Sequence, residues 1–100
     1  MDYGMQDGKR YPKGEKSICE YYGLKPTPAS GAHWKNKGDA TAEGVRIEIK
    51  ETDKESLSVK KEWLTKITKE AAMTGVSPRL LFRIGSEIWV AVPAGEYFDN

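Results

Sequence analysis

Apolar and polar residues alternate most cleanly over Val45-Arg46-Ile47-Glu48-Ile49-Lys50. Side chains of a strand point to opposite faces at a period of two. Val45, Ile47 and Ile49 therefore share one face and Arg46, Glu48 and Lys50 the other, which predicts a half-buried strand. Before it, Glu15 to Tyr22 reads as a short helix with Ile18, Cys19 and Tyr22 on one side and Gly23 as its C-cap. Leu24 to Ala29 contains Pro26 and Pro28, which forbid a central strand and leave an edge strand or an extended arm. Ser30 to Lys37 is a loop. Asp39 to Thr41 begins a short strand that turns through Ala42-Glu43-Gly44 into the alternating run.

After the run, Glu51 to Leu57 reads as a polar loop. Ser58 is a good N-cap for a helix reaching about Met73, although Glu62 lies one position past the capping-box site. Val59, Trp63, Ile67 and Ala71, with Leu64, form its apolar stripe; Gly75 ends it and Pro78 prevents its continuation. Arg79 to Ile84 is a buried-type strand, Gly85-Ser86 suits a type II′ hairpin, and Glu87 to Pro93 is the partner strand. Ala94 to Asn100 reads as a tail, and Met1 to Lys13 as an arm rich in glycine, tyrosine and charge. The arm is either a frayed terminus or a DNA-contacting or partner-swapping tail using Lys9, Arg10 and Lys13. The long helix between Lys50 and Leu80 is a crossover, which favours parallel pairing there, while the first hairpin is antiparallel. The expected fold is α/β: a mixed sheet of about five strands flanked by two helices, in the order αβββαββ. Residues 14–100 form one domain behind a flexible arm of residues 1–13.

Composition narrows this modestly. One hundred residues support one small core, and 38% apolar with 31% charged residues describe a soluble, polar globule. No apolar run is long enough to span a bilayer, and the N-terminus has no apolar signal region. The single Cys19 excludes an internal disulfide framework and a multi-cysteine zinc site; it points to a reducing, intracellular setting and reads as a small buried hydrophobe. The net charge of +1 names no partner. Residues 1–37 carry seven basic against four acidic side chains, and residues 38–100 nine against eleven. A polyanion would prefer the first segment unless the acids of the second carry a metal.

The candidate chemistry lies on the polar face of the alternating run. Glu48 and Lys50 place a carboxylate and an ammonium two residues apart, and Asp39 stands nine positions before Glu48, just after Gly38. An exposed ion pair explains Glu-x-Lys by itself. The motif gains weight from Asp39 at this spacing, from Glu15 in the preceding helix and from the amphipathic helix that follows. Phosphodiester hydrolysis requires charge neutralisation at the phosphate, a positioned water and help in deprotonating it. Mg²⁺ prefers a few carboxylates together with water and phosphate oxygens. Asp39 and Glu48 would supply two carboxylates and the backbone carbonyl of Ile49 a third oxygen. Lys50 would orient the water and stabilise charge in the transition state.

With these residues the chain resembles the PD-(D/E)xK nuclease superfamily, and more closely the small Holliday junction resolvases of archaea and some viruses. The resemblance runs from about Glu15 to Val92. Asp39 matches the motif aspartate, Glu48 and Lys50 match E-x-K, and Glu15, with Glu20 as competitor, matches the acidic residue of the first helix. Ser30-Gly31 is similar to the small Ser-Gly loop before the aspartate. Gly38 replaces the motif proline, and Pro26 and Pro28 interrupt the place of a regular strand. The resemblance implies a restriction-endonuclease-like fold and a Mg²⁺-dependent endonuclease, with Mn²⁺ as alternative metal. It implies action on branched DNA, usually as a homodimer, in the cytoplasm, or in a host cell if phage-encoded. Within it, Asp39, Glu48, Glu15 and the Ile49 carbonyl hold the metal, and Glu15, Asp39, Glu48 and Lys50 form the catalytic set.

Ser30, His33, Trp34, Lys35, Lys37, Lys60 and Lys61 are the DNA-contact candidates. Trp34 either stacks on an exposed base or packs on the domain edge, and His33 either meets phosphate or belongs to a plain loop. Lys35 and Lys37 are phosphate contacts or solvated charges. Lys60 snorkels beside the apolar stripe or reaches the scissile phosphate. Trp63 and Trp89 read as core. Two rival functions stay open: a nuclease of the same superfamily acting on flaps, single strands or duplex ends, and a DNA-binding module without catalysis.

Overall fold

A computed structural model of the chain describes residues 11–27 and 39–99. Its elements are α1 (Glu15–Tyr22), β1 (Lys25–Pro26), β2 (Ala40–Ala42), β3 (Val45–Thr52), α2 (Lys61–Met73), β4 (Ser77–Ile84), β5 (Glu87–Ala91) and α3 (Ala94–Phe98). The strands lie in the sheet in chain order, β1 to β5. Every neighbouring pair is antiparallel except β3 and β4, which run parallel because α2 carries the chain back across the sheet.

The alternation in β3 holds, but its consequence differs from a strand with one wet face. Ile47, Glu48 and Ile49 are all buried. A central strand with a parallel neighbour is covered on both sides. On one side, α1 brings Ile18 and Cys19 against Ala40, Ile47, Ile49 and Leu81 to form the main core. On the other side, α2 buries Ile67 and Ala71 over the face that carries Leu80 and Glu48. Adjacent Leu80 and Leu81 are both buried for the same reason, one beneath each helix. At about 25 cal/mol per Å² of apolar surface, this two-sided cover is the main stabilising contribution available to so short a chain.

Turn chemistry follows the sequence closely. Glu43-Gly44 joins Ala42 to Val45 in a two-residue hairpin. At the second hairpin Gly85 has φ of 59° and, among the described residues, no non-glycine residue has positive φ, as a type II′ turn with Ser86 second requires. Helix α1 has the expected bounds and its Gly23 C-cap.

Several boundaries need correction. Ser58 does not cap α2: the helix starts at Lys61, with extended Lys60 as N-cap and no side-chain cap bond. A single capping residue is a weak signal beside tertiary packing, and the later start sets Trp63 in the first turn, where it meets the sheet. Val59 consequently lies outside the helix and is exposed, and Leu64 is only marginally covered. Glu51 and Thr52 extend β3 instead of starting a loop, because parallel β4 pairs with them. Pro78 sits inside β4, near its start. The tail holds a further helix, Ala94–Phe98, so among the described residues three helices accompany five strands. Trp89 is 59% exposed on edge strand β5 and is not a core residue; Trp63 is partly buried.

Candidate active site

The site forms where β2 begins. Asp39 directly precedes the strand, and its backbone N–H donates to Ile47 O at 2.8 Å. Its carboxylate then takes the place of a further strand residue: the Ile49 N–H donates to Asp39 Oδ2 at 2.7 Å. The N–H and C=O of one strand residue point to the same side. The Ile49 carbonyl is therefore directed toward Asp39 as well, past the last pair of the β2–β3 ladder.

Glu15 reaches this point from above. Gly14, with φ of 98°, is the N-cap of α1, and its N–H donates to Glu51 Oε1 at 2.9 Å. A side chain at that φ would be strained, so glycine suits the position. The bond fixes the helix N-terminus over β3, and the Glu15 carboxyl shares a hydrogen bond with Asp39. Partial desolvation, then the nearby charges of Asp39, Glu51 and Glu48, push Glu15 up to about 7. Glu15 as a whole residue is exposed, so solvent screens part of this repulsion. Glu20, further along α1, is exposed too, and its charge is felt at Cys19, whose thiol is pushed up mainly by burial.

Glu48 faces α2. Its Oε2 lies 3.2 Å from Lys50 Nζ and its Oε1 3.6 Å from Lys66 Nζ; the side chain is 6% exposed. Lys50 is also held 4.6 Å from the Trp63 ring centroid, a cation–π contact that fixes the ammonium beside Glu48. Glu48 Oε1 is buried and has no hydrogen-bond partner.

A second charged cluster lies at the far end of β3 and β4. Arg83 is buried at 3% exposure. Its Nε donates to Glu51 Oε1 at 2.8 Å, and its Nη1 to Asp53 Oδ1 at 3.1 Å and to the Gly85 carbonyl at 2.6 Å. Lys13 adds an ion pair to Asp53 at 3.1 Å, and the Tyr11 ring lies 5.9 Å from the guanidinium. Burial works against the charged guanidinium, but the bonds from Glu51 and Asp53 outweigh it and raise its proton affinity.

The structure thus joins Glu15 and Asp39 to the Ile49 backbone, with Glu48 and Lys50 paired at the adjoining positions of β3. Lys60 and Lys61 are exposed around the start of α2. The α2 lysine that meets Glu48 is Lys66, unforeseen in the sequence; its i,i+4 spacing to Glu70 was the available signal. Arg83 was also missed, though a single charge inside Leu80-Leu81-Phe82-Arg83-Ile84 marks a buried pair. Ser30, His33, Trp34, Lys35 and Lys37 lie outside the described residues.

Among the described residues, no three His, Cys, Asp or Glu side chains already stand in a cage for a metal ion. The donor set nevertheless fits a hard divalent cation: carboxylates with a backbone carbonyl close by. Two features have the same sign. Glu48 Oε1 is a buried acceptor without a donor, and Glu15 is pushed up to about 7 by desolvation and then by the acids around it. No protein-family model, curated protein or solved structure matches the chain. Among the described residues no helix is long and apolar enough to cross a membrane.

Proposed function

We propose that the chain is a metal-dependent, structure-selective DNA endonuclease of the PD-(D/E)xK type with a restriction-endonuclease-like fold. A Holliday junction resolvase is its most specific form. The carrying observation is the Asp39 carboxylate bonded to the Ile49 amide, between Glu48 and Lys50 and beneath Glu15. That arrangement supports the matched motif in three dimensions. An ordinary surface ion pair does not require a buried glutamate, a second carboxylate bonded to the adjoining backbone and a third acid above them.

In this reading Asp39, Glu48, Glu15 and the Ile49 carbonyl would hold Mg²⁺, or Mn²⁺ in its place. When bound, the cation supplies charge neutralisation at the phosphate and acidifies water. Lys50, held by Glu48 and the Trp63 ring, orients the attacking water and stabilises negative charge as it develops on the phosphate. A bound cation would relieve the crowding of the Glu15 and Asp39 carboxyls. A second copy of the chain suits a twofold substrate such as a four-way junction. The exposed apolar side chains Trp89, Val90, Tyr97 and Phe98, on β5 and α3, support a homodimer.

The test is cleavage of a four-way junction, a fork, a flap, duplex and single-stranded DNA with Mg²⁺. The junction is expected to be cut best. Asp39→Asn, Glu48→Gln and Lys50→Ala are each expected to abolish cutting while largely sparing binding. Preferred cutting of flaps or single strands would move the substrate within the superfamily. Binding without any Mg²⁺-dependent cutting would make the chain a DNA-binding module.

A further inference from the structure

We propose that Lys66 is the resident counter-charge of Glu48 and competes with a divalent cation for it; this rests on the nuclease reading above. Lys66 Nζ lies 3.6 Å from Glu48 Oε1 and 3.7 Å from Glu70 Oε2. Both separations are beyond a hydrogen bond, so the ammonium is shared between two carboxylates and committed to neither. Lys50, at 3.2 Å from the other Glu48 oxygen, is held more closely. The two carboxylates are sheltered, with side chains 6% and 13% exposed, and each has a buried Oε1 without a hydrogen-bond partner. Lys66 itself is 52% exposed and free to move on its long stem.

A buried carboxylate needs a counter-charge. Lys66 provides it when Glu48 holds no cation. A divalent cation at Glu48 brings two positive charges of its own and repels the lysine. Glu70, one turn along α2, is the acceptor Lys66 already shares, so the lysine withdraws without leaving its own charge unpaired. Lys66 and Glu70 then set how readily Glu48 accepts a cation without serving as ligands. They are positioning residues, distinct from the matched motif.

The experiment is calorimetric titration of the full chain with Mn²⁺ alone, without DNA, using Glu48→Gln as the reference for site-specific binding. Lys66→Met is expected to tighten Glu48-dependent binding by about two- to fivefold, the range of a half-exposed ion pair. Glu70→Gln is expected to weaken it, because Lys66 then rests on Glu48 alone. In Lys66→Met/Glu70→Gln the Glu70 effect should vanish, since it acts through the lysine. If Lys66→Met fails to fold, Lys66→Gln retains a donor without the charge and carries the same expectation. Unchanged or weaker binding in the Lys66 variant, with Glu48-dependent binding intact in the wild type, overturns the role of Lys66 and leaves the nuclease reading standing. So do additive effects in the double variant, which mark a general field. No Glu48-dependent binding in the wild type overturns both.

Discussion

Glu48 and Glu51 are three residues apart on one strand and have opposite circumstances. Glu51 Oε1 accepts from the Gly14 N–H and from the Arg83 guanidinium, which also bonds Asp53 and the Gly85 carbonyl. Its partners form a closed set that ties α1 to β3 and β4. Glu48 has an ammonium at one oxygen, a loosely shared lysine near the other and a buried lone pair unused. Beside it, Glu15 and Asp39 share a hydrogen bond at a point where acids crowd. The closed set builds the fold; the looser one is where the proposed reading puts a cation. The closed cluster also serves the open one, because the Glu51–Gly14 bond sets the start of α1 and hence the position of Glu15.

Substitutions in the two clusters should therefore separate stability from activity. The largest effect is expected at the open one. Asp39→Asn should lower junction cleavage by about 10²–10³-fold or more while urea unfolding changes little. A stability loss that accounts for the lost activity would erase the contrast. Next is Arg83→Met at the closed cluster. Removing one partner of a buried pair costs about 3–5 kcal/mol; with Glu51 partly exposed, about 2–4 kcal/mol is expected here, read from the urea midpoint. Cleavage per folded molecule should fall only as far as Glu15 is displaced. Trp63→Leu keeps the apolar cover but removes the ring from Lys50. Single-turnover cleavage should slow by about two- to thirtyfold, the range of a cation–π contact, with DNA binding little changed.

The smallest effect is a pH dependence. Glu15 is raised from 4.5 to about 7 in the folded chain, so the native state binds the proton more tightly than the unfolded chain. Its contribution to stability is present in full below about pH 4.5 and is lost as the pH rises through about 7. Glu15→Gln should flatten that decline, measured as the difference between wild-type and variant unfolding curves across the window. Asp53 behaves in the opposite sense at lower pH: bonds from Lys13 and Arg83 hold it below its usual 3.8. Identical slopes for wild type and Glu15→Gln would mean that Glu15 does not meet Asp39.

Local signals in the sequence carried much of the fold. The β3 alternation, both ends of α1, the two-residue Gly85-Ser86 hairpin and the crossover that makes β3 and β4 parallel are each written in a short window; the first turn is one residue shorter than the Ala42–Gly44 reading, since Ala42 pairs with Val45. The candidate set Asp39, Glu48 and Lys50 reads as a motif because the three residues lie within one short stretch of chain. What escaped depends on pairings distant in the chain. Glu48 is buried only because α2 crosses its face, and Glu51 meets Arg83 through a parallel register spanning 32 positions. The α2 start at Lys61 and the Lys66–Glu48 ion pair both depend on how α2 docks on the sheet, which a cap candidate such as Ser58 does not report. The helix at Ala94–Phe98 buries no residue and so left no apolar stripe to read.

One measurement bears most directly on the reading of the open cluster: single-turnover cleavage of a four-way DNA junction by wild type and Glu48→Gln, with and without Mg²⁺. The expected result is cutting by wild type in Mg²⁺ alone and none by Glu48→Gln, with both proteins folded and bound to the junction. Cutting that persists in Glu48→Gln, or no cutting by the folded wild type on any DNA, would contradict it.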